Sequence, residues 1–193
     1  MNKVSVVDLA YIATFAALII VLGAVALPVG SLGVPIVLQN MGIALASMLL
    51  GCARGGFATT LFLGVGLVGV PNLAGWQPTL SAIAGPTVGY LVGYLISAFL
   101  IGAIADRAPQ GARHTRTRMF IFLLAGVLGV LTQYVCGSIG LMIRLGLDFP
   151  TSIASNVPFI PGDLIKIAIA ATIATAVLKA VPDLVHRPSP RVS

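Results

Sequence analysis

The sequence contains no glutamate, and its acidic residues are five aspartates. Two histidines, two cysteines and one tryptophan complete a short supply of side chains suited to acid–base, redox or metal chemistry. That scarcity argues against an enzyme. An intramembrane hydrolase needs a nucleophile–base pair or a metal set. Here His114 and His186 fall in polar segments, and Asp106 and Asp183 stand at the ends of apolar runs. Cys52 and Cys136 form no CxxC or Cys/His grouping and read as small apolar residues, so no metal and no cofactor are expected. The sequence also lacks G-x-x-x-x-G-K-[ST], and even a Gly-Lys pair, which excludes a P-loop for ATP. Charged residues reach only 8%, where a soluble domain carries about 25%.

What fills the chain instead is apolar: 58% hydrophobic residues and a mean hydropathy of +1.07. Such a surface cannot be kept in water, so the chain is expected to be integral to a lipid bilayer. The net charge of +6 suggests nucleic acid only until the basic residues are located. They sit between apolar runs, where they set orientation in a membrane, and no nucleic-acid partner is expected. The first apolar run follows Lys3 and Asp8 without a small-residue cleavage site, which marks it as a retained span.

Six apolar runs predict an all-α bundle of six transmembrane helices in a single domain, 1–193. The expected helices cover about 9–27, 39–51, 57–70, 86–105, 119–143 and 163–181, with a cytoplasmic tail at 182–193. The second and third are short for a hydrocarbon core about 30 Å thick at a rise of about 1.5 Å per residue. They either extend into their glycine-containing flanks, break around a cavity, or form a tilted hairpin. With the N-terminus inside, Lys3, Arg54, Arg107, Arg113, Arg116, Arg118, Lys179, Arg187 and Arg191 are cytoplasmic and Arg144 is outside. This asymmetry places both termini in the cytoplasm of a multi-pass inner-membrane protein.

Lys166 belongs to neither loop set. It lies three residues after Asp163 at the outer mouth of the sixth helix, in "PFIPGDLIKIAIAA". Taken singly, Asp163 caps the helix and Lys166 snorkels to the interface. Taken together, residues at i and i+3 share a helix face and offer an acceptor and a donor to one ligand, such as one with ureido-type N–H groups or a carboxylate. Charged groups this far into an apolar span are seldom idle. On the same side lie Gln39 and Asn40, then Asn72, Trp76 and Gln77, then Thr87 and Tyr90. An apolar body with a few orienting polar groups is the usual make-up of a small-molecule pocket. Trp76 and Tyr90 also suit an interfacial belt, and Asn72 and Gln77 a solvated loop.

The segments "GVPIVLQNMGIALASMLLGCARGG", "GVGLVGVPNLAG", "AGPTVGYLVGYLISAFLIG" and "PFIPGDLIKIAIAA" resemble, in order and spacing over about residues 8–180, the signatures of BioY proteins. These are the substrate-binding S components of energy-coupling factor (ECF) biotin transporters. The resemblance implies a six-helix membrane protein that binds biotin from outside and supports its uptake. It implies Asp163 and Lys166 as the polar core of the site, Tyr90 in its lining, Gln39 at a matching position, and the loop Val29–Pro35 closing over the ligand. With Asn72, Trp76 and Thr87 these make up the expected binding residues. Val88 stands where the family has a glycine, and "AGWQPTLSA" replaces a glycine-rich run, which leaves open an S component for a different small vitamin. Ala13 and Ala17 form a small-x-x-x-small step on the first helix, suited either to packing within the bundle or to a partner. The resemblance implies the partner: the transmembrane coupling subunit of the ECF module, with cytoplasmic ATPase subunits supplying the energy.

Overall fold

The computed structural model describes residues 5–23, 26–28, 35–109, 111–181 and 184. Residues 29–34 of the expected closing loop, and all of the expected tail except Leu184, lie outside the described residues. The elements run α1 (Val6–Gly23), β1 (Ala26–Pro28), β2 (Pro35–Val37), α2 (Gln39–Leu67), β3 (Pro71–Leu73), β4 (Gln77–Pro78), α3 (Thr79–Ala82), α4 (Val88–Ala105), α5 (Thr115–Leu145), α6 (Phe149–Ala154) and α7 (Ile160–Ala180). Two-stranded antiparallel hairpins, β1–β2 and β3–β4, are the described sheet structure. Five helical stretches among the described residues are long and apolar enough to cross a membrane.

The α2 run holds two of the expected helices. Gly51 interrupts it at φ 78° and ψ −172°, and a Cβ built on Gly55 would lie 2.6 Å from the Cα of Ser47. Eight residues of straight helix would separate those positions by about 12 Å, so the chain reverses at Gly51. Glycine is required there twice over, by its positive φ and by the Asp106 carboxylate against it. The backbone N–H of Cys52, which opens the returning half, donates to Asp106 Oδ2 at 3.1 Å. The expected run 39–51 thus stays short, closing at Leu50, while the expected run 57–70 becomes 52–67, and the Asp106 carboxylate just beyond α4 caps it. With α2 counted as two passes, six passes alternate in direction. The start of α1 and the end of α7 share one end of the bundle, where Asp8 pairs with Arg54 at 3.2 Å.

The core forms where α2, α4, α5 and α7 meet, around Met48, Leu49, Ile101, Phe122 and Ala174. Ala170, Ala171 and Ala174 bring α7 close to the bundle, while Leu164, Ile165, Ile169 and Ile173 of the same helix are exposed. Small residues inward and large apolar residues outward is the pattern for lipid, where burial of apolar area gives no preference for protein over acyl chains. α4 crosses α5 most closely at Gly89 and Gly140: a Cβ on Gly140 would stand 2.7 Å from the Gly89 Cα. The backbone groups of the spans are satisfied within each helix, as a bilayer interior demands.

Candidate functional site

α7 begins at Ile160, so Pro161 and Gly162 belong to its first turn and place Asp163 inside the helix rather than at its cap. Neither single-residue reading of the pair describes the structure. Asp163 makes no capping bond, and Lys166 turns inward instead of reaching for the interface; they are 5% and 8% exposed. The Lys166 Nζ lies 2.8 Å from Asp163 Oδ1 and donates to the Val37 carbonyl at 2.7 Å and to Asn40 Oδ1 at 3.3 Å. All three ammonium protons are thereby used. Asp163 accepts a second bond at Oδ1 from Asn40 Nδ2, at 2.9 Å, and one at Oδ2 from the Tyr134 hydroxyl, at 2.7 Å. Four elements therefore converge on one buried ion pair: β2, α2, α5 and α7.

The sequence suggests a pair waiting for a ligand to satisfy it; the structure shows protein groups doing so already. Burying an ion pair costs several kcal/mol per ion before attraction is counted, and the surrounding hydrogen bonds are what offset that cost. The arrangement can exchange partners. Asn40 and Tyr134 each present a rotatable donor, and Asp163 and the Val37 carbonyl present acceptors. A neutral ligand carrying both N–H and C=O groups can replace them one for one.

The remaining expected residues divide into separate groups. Tyr90 donates to Asn156 Oδ1 at 2.7 Å, and Asn156 donates in turn to Ser138 Oγ at 2.9 Å. The Tyr90 ring lies against Gly137. Gly137 is one turn beyond Tyr134 on the same face of α5, so the two tyrosines line adjacent turns. Gln39 faces the other way from its neighbour Asn40. Its Nε2 donates to the Asn72 carbonyl at 2.6 Å, and Asn72 Nδ2 donates to the Phe62 carbonyl at 2.7 Å and to Thr79 Oγ1 at 2.9 Å. Gln39 and Asn72 thus brace segment 71–79 against the ends of α1 and α2, with no bond to the ion pair. Trp76 is 71% exposed at a left-handed φ of 58°, in the link between β3 and β4. Thr87 precedes α4 and gives its carbonyl to the N–H groups of Tyr90 and Leu91.

Tyr134 and Asn156 are the polar residues missed by the sequence reading. A signal for the first existed: Gln133 and Tyr134 are polar in mid-span of an apolar helix, where polar groups seldom lack a role. For Asn156, in a loop sequence, no pattern distinguishes it from its solvated neighbours. Ala13 and Ala17 are exposed on α1, whereas Ala16 faces the bundle.

Known proteins resemble this chain over most of its length. A model described as the BioY family matches residues 1–183. The chain is 36% identical over 184 residues to "Biotin transporter BioY" of Rhizobium etli, covering 93% of this chain and 97% of that protein. It is 38% identical over 192 residues to the protein of the same name in Rhodobacter capsulatus, covering 92% and 93%. Among solved structures it superposes on the crystal structure of the S-component for biotin from an ECF-type ABC transporter. That match has a TM-score of 0.79 and 34% identity, covering 92% of this chain and 93% of the other.

Proposed function

From the premise that this chain belongs to the BioY family, we propose that it is a transport subunit binding biotin at the Asp163–Lys166 end of the bundle. The observation that carries the reading is the buried pair with its four-element shell. Biotin's ureido ring has two N–H donors and a carbonyl acceptor, the complement of the Asp163 carboxylate on one side and the Asn40, Tyr134 and Lys166 donors on the other. Tyr90, one turn along, lines the path of the apolar remainder of the ligand. Thr87 and Trp76 sit at the rim of the same end, and Gln39 and Asn72 hold its covering segment in place.

The basic residues support an orientation. Arg54 and Arg107, both beside the Gly51 reversal, and Arg116 and Lys179 stand at the end opposite the pair. Arg144 reaches the pair's end, where it donates to the Ile83 carbonyl at 2.9 Å. With the positive end cytoplasmic, the pair opens to the outside of the cytoplasmic membrane. Release inward then requires work from elsewhere, since the chain has no ATP-binding motif. The exposed Ala13–Ala17 face of α1 is the docking surface for the transmembrane coupling subunit of an ECF module, whose ATPase subunits are cytoplasmic. Retention of labelled biotin by the detergent-purified chain, challenged with unlabelled biotin, thiamine and riboflavin, tests the ligand. Competition by biotin alone is expected; displacement by thiamine or riboflavin assigns the chain to another vitamin.

A further inference from the structure

A cavity lies at the end of the bundle opposite the ion pair, between the start of α5 and the close of α7. It is a groove of about 500 Å³. Its body is apolar, formed by Met119, Phe120, Leu123 and Ala176, and Phe120 is 68% exposed beside it. Arg116 and Lys179, on the two helices, flank its mouth, and both are exposed. Among the described residues the ion pairs join Arg54 to Asp8 and Lys166 to Asp163, which leaves Arg116 and Lys179 without a carboxylate partner. Arg118 takes no part; it turns inward and donates to the Gly111 carbonyl at 2.8 Å.

We propose that this groove is a binding site for one anionic glycerophospholipid of the leaflet on that side of the membrane, its phosphate between Arg116 and Lys179 and an acyl chain along Met119, Phe120 and Leu123. Three observations meet in that occupant. The groove opens on the lipid-facing surface, so an acyl chain reaches it without crossing water. Its volume falls within the roughly 300–1,000 Å³ typical of small-ligand pockets. The two cations stand at the helix ends, at headgroup depth, where each basic residue strengthens attachment to anionic lipid by roughly fivefold. The α5 N-terminus adds the positive end of its dipole at the same point. The site is independent of the biotin reading, because none of its residues touches the ion-pair shell.

The test is lipid retention by the full-length chain in detergent, with phosphatidylglycerol and phosphatidylcholine added in equal amounts and the bound lipid counted by native mass spectrometry. The wild type is expected to keep one phosphatidylglycerol with about a twentyfold preference. Arg116→Gln combined with Lys179→Gln abolishes that preference. Ala176→Trp, which fills the groove without changing charge, lowers retention of the lipid by at least fivefold. Arg107→Gln combined with Arg113→Gln removes the same charge from the same end and leaves retention unchanged. An equal loss in this last pair, retention undiminished by Ala176→Trp, or full displacement by inorganic phosphate would overturn the proposal in favour of diffuse charge or a bare anion site.

Discussion

Lys166 donates to Asp163 Oδ1, Asn40 Oδ1 and the Val37 carbonyl, so no single member of that shell can be removed without stranding another. Removing one partner of a buried ion pair typically costs about 3–5 kcal/mol, whereas replacing both by apolar residues is often close to neutral. Lys166→Met alone is therefore expected to lower the unfolding midpoint in detergent by several degrees. Asp163→Leu combined with Lys166→Met is expected to recover most of it while binding no biotin. Thermal unfolding followed by circular dichroism, beside a biotin-binding measurement, separates stability from recognition. Tyr134→Phe removes one bond to a charged acceptor, worth about 1.5–3 kcal/mol, and is expected to weaken biotin binding by about 10- to 150-fold with the fold intact. The i, i+3 spacing made the Asp163–Lys166 pair legible in the sequence. Its shell was not, because Asn40, Tyr134 and Val37 are separated from it in sequence and meet it only through the packing of other helices. Gln39 and Asn40 show the limit well: adjacent polar residues at a helix start, they point to opposite networks.

At the scale of elements, apolar run length marked the helical stretches but overran the first, since α1 closes at Gly23 where the run to Leu27 predicts helix, and Ala26–Pro28 pairs as β1. What length could not show was how the two short runs join. The reversal at Gly51, closed by the Asp106 carboxylate just beyond α4, depends on a residue 55 positions away. The crossing of α4 and α5 is similarly hidden, since Gly89 and Gly140 read as two among 22 glycines. That crossing sets Tyr90 against α5. Gly89→Ala forces a methyl into the Cys136 carbonyl and the Gly140 backbone, and overpacking of this kind costs about 1–3 kcal/mol. The expected result is a lower unfolding midpoint together with weaker biotin binding, as Tyr90 shifts. Gly64→Ala meets nothing within 4 Å inside the second half of α2, and is expected to stabilise by about 0.5–1 kcal/mol with binding unchanged. The pair of variants, measured side by side, reports whether close approach or helix propensity governs each glycine.

For the whole molecule, two ends carry different chemistry. One end gathers the polar networks of Asp163, Tyr90 and Gln39; the other gathers the cations and the lipid groove. α1 stands at the bundle's edge with Ala13 and Ala17 outward, and a small face in lipid is suited to close approach by another helix. Ala17→Trp is expected to leave biotin binding by the isolated chain unchanged, while uptake by cells expressing the coupling module falls more than tenfold. An equal fall in both assays would place Ala17 inside the bundle's own packing instead. The central claim remains that the buried carboxylate–ammonium pair is what holds the ligand. Calorimetric titration of the detergent-purified chain with biotin, wild type beside Asp163→Asn, tests it most directly. The account predicts one site tighter than about 1 μM in the wild type and at least a hundredfold loss in the variant; equal affinity in the two proteins would contradict it.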